Sequence, residues 1–444
     1  MIDGLSFKMP PSSSYALQRK SVTFWASGSN IYTPQGTKVV RFQIAGEENS
    51  WLDPSTVRVQ FTFIKQDTKT VVPLGSPALF WNRVRVLANG QLAEDLQSYN
   101  RVHHMLESLM ARNVLANTAV EGFGYRWDDY YNTGRKGIVP NLDTMPGVKT
   151  GKSKIVSFKL MSGLLGHQDK LINTKFCPLV IEMELVGDYF DPIIKGEAPG
   201  ETPNPKTFTT DNIGSKWEIL DCQIKCDICV LDNQLNNSYI EHLLSGRSLP
   251  LQYTTWITQQ SSIQTNQIAI QVARSVTRLK KCFITLFNST DLPTVWDKPC
   301  IQLYHPLMIK PGFEYDEDYD LQFQIQLGSN LFPEYPVRSI GERYKILRQS
   351  LSLPDYHQHS LAIEWADYKS DHFIYCQNFE RVPESSWTGI YTKAGQLLII
   401  KVQPINNSVL DGLTKEARIG ESMFITLESE NILEIRDGGC VIYD

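Results

Sequence analysis

At 444 residues the chain is long enough for two or three domains, and with 42% hydrophobic and 20% charged residues it is composed as an ordinary globular protein. A net charge of −5 leaves no basic footprint for a nucleic acid, and no run of about 18 apolar residues is present to span a membrane. Eight cysteines over this length fit buried thiols better than a disulfide framework.

The first twenty residues, MIDGLSFKMPPSSSYALQRK, lack the apolar core of a signal peptide, which points to synthesis and residence in the cytosol or nucleus. Their Pro and Ser clusters carry no sustained period, so 1–20 reads as an interaction arm outside any core. Lys8, Arg19 and Lys20 against Asp3 are too little charge for a genome-binding tail. In VRVQFTF, Val57, Val59, Phe61 and Phe63 point one way, while Arg58, Gln60 and Thr62 point the other: a strand with one wet face. NRVRVLANGQLAEDLQSYNRVHHMLESLM reads as strand, Gly90, then a helix striped by Val102, Met105, Leu106, Leu109 and Met110.

GVKTGKS (147–153) ends like a phosphate-binding loop. Its glycines are one residue too close, however, and the strand VSFKL (156–160) follows where a helix should open. A solvated hairpin loop fits better. IIKGEAPGETPNPKTFTTDNIGSK (193–216) is a long Pro/Gly/Thr-rich loop.

KWEILDCQIKCDICVLDNQLNNSYIEHLLSGRSLPLQYTTW (216–256) holds Cys222, Cys226 and Cys229, with His242 behind them. From Leu220 to Val230 the even positions are Leu, Cys, Ile, Cys, Ile and Val. Cys222 and Cys226 are therefore expected on the buried face of a strand, with Cys229 facing the other way. A tetrahedral zinc site needs ligands converging on one point, which a straight strand prevents. Next, Ser238 and Glu241 suggest a capping box for a short helix striped by Tyr239, Ile240, Leu243 and Leu244 and stopped by Gly246. Strand, short helix, strand is a joint near the midpoint of the chain.

IAIQV (268–272), LQFQIQL (321–327) and MFITL (423–427) repeat the period of two. YDEDYDL (315–321) starts like a calcium loop but places Leu321 where glycine belongs and Leu327 where the closing glutamate belongs. An acidic outward loop over 314–320 is the better reading, and divalent binding there stays open. SIGERYKILRQSL opens with the capping pair Ser339 and Glu342 and continues as a helix. Its Gly328-to-helix approach echoes the Gly90 segment, suggesting two copies of one β-sandwich design. His357 and His359 lack a third ligand at matching spacing and read as a polar loop pair. Sequons at Asn236, Asn288 and Asn406 matter only in a secreted protein. No hydrolase elbow, zincin or dinucleotide motif is found, and no catalytic, cofactor-binding or metal residue is assigned.

IKCDICVLDNQLNNSYIEHLLSGRSLPLQYTTW resembles the junction in double jelly-roll major capsid proteins, where the first roll ends in a Leu-Asp pair before a short helix. LFWNRVRVLANGQLAEDLQSYNRVHHML is similar to their strand pair around a Gly-Gln-Leu turn, and ENSWLDPSTVRVQFTF to an early strand of the first roll. The nearest likeness is to polinton-like viruses and virophage relatives, then to large nucleocytoplasmic DNA viruses. SIGERYKILRQSL also resembles a segment in the single jelly-roll capsid proteins of picorna-like RNA viruses.

The resemblance implies an all-β fold of two consecutive eight-stranded jelly-roll sandwiches with a few short helices in loops. The expected divisions are an arm 1–20, a first roll 21–233, a connecting helix 234–248 and a second roll 249–444. It implies a non-enzymatic major capsid protein of an icosahedral DNA virus, forming homotrimeric pseudo-hexagonal capsomers in the virion. Implied partners are neighbouring capsomers, penton and minor capsid proteins, and an inner membrane or core reached by the arm. Neither a cofactor nor sequence-specific nucleic-acid binding is implied. Alternatives are a glycan- or receptor-binding β-sandwich protein, with Trp127, Trp296 and Trp387 stacking on sugars, and a single-jelly-roll-lineage capsid protein. A β-sandwich glycosidase with unlocated carboxylates is the third class.

Overall fold

The computed structural model describes residues 16–46, 49–66, 71, 73–124, 148, 152–193, 216–263, 268–287, 319–353, 361, 363–368, 372–382, 388–393, 396–406 and 422–444. Their strands form four antiparallel sheets. The first ten strands are β1 (Ala16–Trp25), β2 (Ile31–Tyr32), β3 (Val39–Ile44), β4 (Ser50–Lys65), β5 (Trp81–Ala88), β6 (Gln91–Gln97), β7 (Ser153–Lys159), β8 (Ile172–Asn173), β9 (Leu179–Leu185) and β10 (Trp217–Leu231). They pair as β1-β10-β4-β7, with short β2 on β10 and β8 on β4, and as β3-β9-β5-β6. The rest are β11 (Leu249–Ser262), β12 (Ile268–Val272), β13 (Leu279–Phe287), β14 (Tyr319–Leu327), β15 (Asn330–Val337), β16 (Tyr375–Asn378), β17 (Leu398–Asn406), β18 (Ser422–Arg436) and β19 (Gly439–Tyr443). They pair as β11-β18-β13-β16, with β19 on β18, and as β12-β17-β14-β15.

If β2, β8 and β19 are set aside, each half has eight strands. Counted in chain order within each half, both halves pair them as 1-8-3-6 in one sheet and 2-7-4-5 in the other. That is a jelly roll, made twice. The echo seen in sequence is the hairpin of the fourth and fifth strands and the helix behind it. In the first roll Asn89 (φ 47°) and Gly90 (φ 80°) turn β5 into β6, as a two-residue hairpin with both central residues at positive φ requires. Helix α1 (Tyr99–Ser108) follows, then α2 (Arg112–Glu121). In the second, Gly328 turns β14 into β15.

Alternation decides the cores. Val57, Val59, Phe61 and Phe63 of β4 are all fully buried, as are Leu321, Phe323, Ile325 and Leu327 of β14 to within 1%. MFITL differs from expectation: Met423, Phe424, Ile425, Thr426 and Leu427 are buried on both faces. β18 lies between β11 and β13, and on its second face Phe424 meets Arg101 of α1, whose guanidinium lies 4.7 Å from the ring centre, while Thr426 Oγ1 lies 3.1 Å from Thr258 Oγ1.

β10 also departs from a simple strand. Asp221 has φ 50°, and the pairing with β4 jumps from Leu220↔Thr62 to Gln223↔Gln60, one extra residue on β10. This bulge flips the facing. Trp217 and Ile219 are buried before it, Cys222, Ile224 and Cys226 after it, and Leu220 is only half-buried. Cys222 and Cys226 join the first core as expected, while Cys229, outside that core, is buried too.

The connecting helix α3 runs Asn233–Leu244, not from Ser238. Asp232 caps it, its carboxylate accepting from the Gln234 N–H at 3.0 Å with ψ 145°. An aspartate already extended at the strand end starts the helix first and leaves Ser238 inside it. Of the expected stripe, Leu243 is buried, but Leu244 is exposed and Tyr239 partly so. Asn236 is fully buried, accepting from Trp51 Nε1 at 3.0 Å and donating to Asn49 Oδ1 at 2.8 Å, so its sequon is not a surface site. Gly246 (φ 82°) ends the helix turn. Asp232→Ala should cost about 1 kcal/mol in urea denaturation, and Ser238→Ala less than half of that. The reverse order would put the helix start at Ser238.

β1 begins at Ala16, so 16–20 of the expected arm are strand, paired with β10 from Ala16↔Leu231 onward. Residues 1–15 lie outside the described residues. Helix α4 (Ile340–Ser350) starts where the capping pair placed it. Ser339 Oγ accepts from the Glu342 N–H at 3.1 Å, while the Glu342 carboxylate accepts from the Arg338 N–H at 3.1 Å, one residue before the cap.

Candidate functional site

The two rolls are not separate beads. The first core takes in Leu251, Tyr253 and Trp256 of β11, Leu433 and Ile435 of β18, and Cys440 of β19. In return Met105 of α1 belongs to the second core, and Leu106 packs against both. The surface that makes one block of two sandwiches is this junction, and it is the part of the molecule with the most unusual chemistry.

At its centre is Glu94 on β6, 2% exposed. Its carboxylate accepts from Ser162 Oγ, from the Gly163 N–H at 2.9 Å and from the Leu164 N–H at 3.4 Å. Those donors belong to one tight turn, 163–166, capped by Ser162. Burial nevertheless dominates and pushes the carboxyl up to about 7. Against that turn lies β11. An atom added as Cβ to Gly163 would sit 1.6 Å from the carbonyl oxygen of Thr254, so only hydrogen fits there. Tyr253 OH donates to the Ala93 carbonyl at 2.8 Å, and Gln168 Nε2 to the Gln252 carbonyl at 2.8 Å. Burial raises the Tyr253 phenol well above its ordinary range.

α1 forms the second fastening. Arg101 lies 4.1 Å from the centre of the Phe287 ring as well as over Phe424, a cation held between aromatic faces of the second roll. Tyr99 OH accepts from the Met161 N–H at 2.9 Å. His103, buried between Tyr99 and Phe158, is lowered to about 4 by burial and is neutral.

None of these groups was singled out in the sequence. The available signal was Glu94, a carboxylate in step with Leu96 on a strand otherwise apolar at that phase. Of the residues that were weighed, Cys222 and Cys226 are core thiols raised to about 12 by burial, and His242 is half-buried on α3. Among the described residues no group of three or more His, Cys, Asp or Glu is placed to hold a metal ion. Leu321 and Leu327 are buried in β14, where a calcium loop would need glycine and glutamate. Of 147–153, Val148 is buried and bridged to Val71 and Ser153 opens β7, which pairs with β4, while 147 and 149–151 lie outside the described residues. Trp127, Trp296, Trp387, His357, His359, Asp316 and most of 193–216 lie outside the described residues. Among the described residues no helix is long and apolar enough to cross a membrane.

No family model and no curated protein matches the sequence. Solved structures do. The chain is similar to PBCV-1 VP54, fitted into a reconstruction of the virophage Sputnik, with TM-score 0.60 at 12% identity over 98% of both chains. A chain of the Sputnik virophage structure gives 0.61 at 9% identity over 99% of this chain and 91% of that one. The Faustovirus major capsid protein gives 0.54 at 9% identity over 97% and 93%. Coverage that complete in both directions matches both rolls and their connection, not one roll alone. The fold is that of double jelly-roll capsid proteins. At these identities the double jelly roll is carried by strand order and burial pattern. A single-roll architecture does not describe the chain, because the second sandwich repeats the first strand for strand.

Proposed function

We propose that this chain is the major capsid protein of an icosahedral DNA virus, a structural subunit without catalysis, residing in the virion. The observation that carries the reading is the repeated 1-8-3-6 and 2-7-4-5 strand order in two rolls fused through a shared core. A shell needs rigid blocks, and a fused double sandwich is one. Three chains then present six near-equivalent sandwiches around an axis, a pseudo-hexagonal homotrimer whose closed symmetry leaves no unpaired heterologous surface inside the capsomer. Neighbouring capsomers, penton and minor capsid proteins are the further partners, and the N-terminal arm reaches an inner membrane or core. Synthesis belongs to the cytoplasm or nucleus of the host.

The faces available for such contacts differ between the rolls. The outer face of β3-β9-β5-β6 carries an ion ladder: Arg83 pairs with Asp95 at 2.7 Å, Arg85 reaches Asp95 at 3.8 Å and Glu182 at 3.6 Å, and Arg41 reaches Glu182 at 3.7 Å. Half-exposed pairs of this kind add little stability but fix charge register against a partner. On the equivalent sheet of the second roll Gln322, Gln324 and Gln326 of β14 and Gln403 of β17 are half-buried, with Lys401 beside them and Glu334 exposed on β15. The two kinds of face favour unlike contacts around a ring.

Analytical ultracentrifugation of the purified chain at micromolar concentration tests the proposal. A trimer is expected, with interfaces on the order of 2,000 Å² or more, and electron microscopy should show sheets or shells. A stable, folded monomer would overturn it and shift weight to the receptor-binding reading.

A further inference from the structure

The outer face of β1-β10-β4-β7, with β2 continuing the β1 edge, is graded by its strand register. Ile31, Leu220 and Ile155 lie in one row across it, Trp25 in the next, and Lys225, Arg58 and Lys159 in a third. Ile155 is 64% exposed and Trp25 61%. Arg58 pairs with Glu121 of α2, but Lys225 and Lys159 are exposed and form no ion pair among the described residues. Like charges set opposite one another weaken a sheet, and apolar side chains gathered bare on one face mark a contact surface.

The same face of the second roll is covered. Gln223 and Glu428 are each the seventh residue of a 15-residue eighth strand, and their partners on the first strand are Trp25 and Trp256. The two tryptophans therefore hold counterpart positions. Trp256 is buried, its ring centre 6.2 Å from that of His167 in the first roll and its Nε1 donating to Glu428 at 3.3 Å. Thr258 and Thr426 on that face are buried too. The cover comes from the first roll: β6 lies along β11, the turn 163–166 packs on it, and α1 brings Arg101 over Phe287 and Phe424. One tryptophan sits beneath its own chain, and its counterpart is open to water.

We propose that the bare face seats the second roll of a neighbouring copy, through the counterparts of the elements that cover Trp256. Those counterparts are β15, α4 and the segment after β16, as β6, α1 and the turn 163–166 are fifth strand, following helix and turn after the sixth strand. They adjoin in the same way: the turn holds Glu94 of β6, and the Phe332 ring of β15 lies 5.0 Å from that of Phe379. Here they are uncovered. Between Phe332↔Ile325 and Val337↔Phe323 four residues of β15 stand opposite Gln324 alone and form a tooth. Gln324 Nε2 fixes it, donating to the Pro333 and Glu334 carbonyls at 3.3 and 3.2 Å. The tooth carries Tyr335, 80% exposed, beside exposed Glu334, and Val382 after β16 is exposed as well. An aromatic ring and a carboxylate thus meet a face of apolar side chains and a row of cations. The contact is head to tail, the tooth of each chain on the face of the next, and three such contacts close a ring. It rests on the trimeric reading above and adds which surfaces meet.

Analytical ultracentrifugation of three full-length chains tests the contact: the unaltered chain, Trp25→Glu and Tyr335→Glu. Both residues lie outside the two cores. At micromolar concentration the unaltered chain should sediment as a trimer and each variant at a third of that mass, since each lacks one side of every contact. An equal mixture of the two variants should give a dimer and no trimer, because the intact tooth of Trp25→Glu still finds the intact face of Tyr335→Glu. That pairing also shows that both variants fold. A variant that stays trimeric by itself would overturn the contact and leave the capsid reading standing, and so would a mixture that stays monomeric. A monomeric unaltered chain would overturn trimer and contact together, so the mass of the unaltered chain tells the two failures apart.

Discussion

Gly163→Ala should destabilise the protein by about 3 kcal/mol or more, the upper end of what overpacking costs. The added methyl would lie 1.6 Å from the Thr254 carbonyl oxygen and 2.6 Å from its carbon. Those are backbone atoms in the middle of β11, which pairs with β18 without a break from Leu249↔Ile435 to Ser262↔Ser422. No rotamer relieves the clash. Either the turn 163–166 must leave Glu94 or the rolls must part. Gly187→Ala is the control, since its methyl would meet nothing within 4 Å. Urea denaturation of the two variants beside the unaltered chain reads the difference. A Gly163→Ala protein within about 0.5 kcal/mol of the parent would mean that the junction yields, and the rigid-block account would fail with it.

Glu94→Gln should change how stability depends on pH. Folded Glu94 keeps its proton up to about pH 7, against an ordinary value of 4.5. Its contribution is therefore complete below about pH 4.5 and is lost as pH rises through about 7, roughly 3 kcal/mol in all. His103 works the other way. Lowered from 6.5 to about 4, it contributes fully above pH 6.5 and loses that contribution as pH falls through about 4. His167, also lowered by burial, adds in the same direction as His103. Between pH 4.5 and 6.5 the opposed slopes offset each other in the parent chain. Asp95 and Asp227, lowered from 3.8, act below this window. Glutamine keeps an acceptor for the Gly163 N–H and donates to Ser162, but it does not titrate. Relative to the parent, Glu94→Gln should gain ~3 kcal/mol between pH 4.5 and pH 7.5, and alone it should lose stability steadily on acidification. Parallel profiles for variant and parent would show that the carboxyl is ionised throughout.

Much of the fold was legible because a period of two survives wherever one sheet face meets a core. β4 and β14 were readable for that reason, and so was α4, whose Ser339 cap is a local signal. What was hidden is non-local. The bulge at Asp221 places a non-glycine residue at positive φ, which no neighbouring residue announces, and it moved Leu220 off the expected face. The burial of Phe424 on the second face of β18 involves Arg101 of α1, more than three hundred residues earlier. α3 began early because Asp232, at the strand's end, outranked the serine six residues on. The junction itself was illegible in detail. Gly163 and Thr254 are unremarkable letters until the fold sets one against the other, and Glu94 looks like any surface carboxylate until its donors are counted.

The sharing of one core between the two ends of the chain has a consequence for how the protein is made. A ribosome releases β1 to β10, a whole set of strands for the first roll, about 200 residues before it releases Leu433, Ile435 and Cys440. At ~5–20 residues per second that is a wait of roughly 10–40 s. During that wait the nascent sandwich shows bare apolar surface where β18 and β19 will later sit, and such surface is what chaperones hold and what otherwise aggregates. The first half of this chain is therefore an orphan until the second half arrives, and a nascent-chain complex stalled near residue 300 should bind chaperone more strongly than the finished protein.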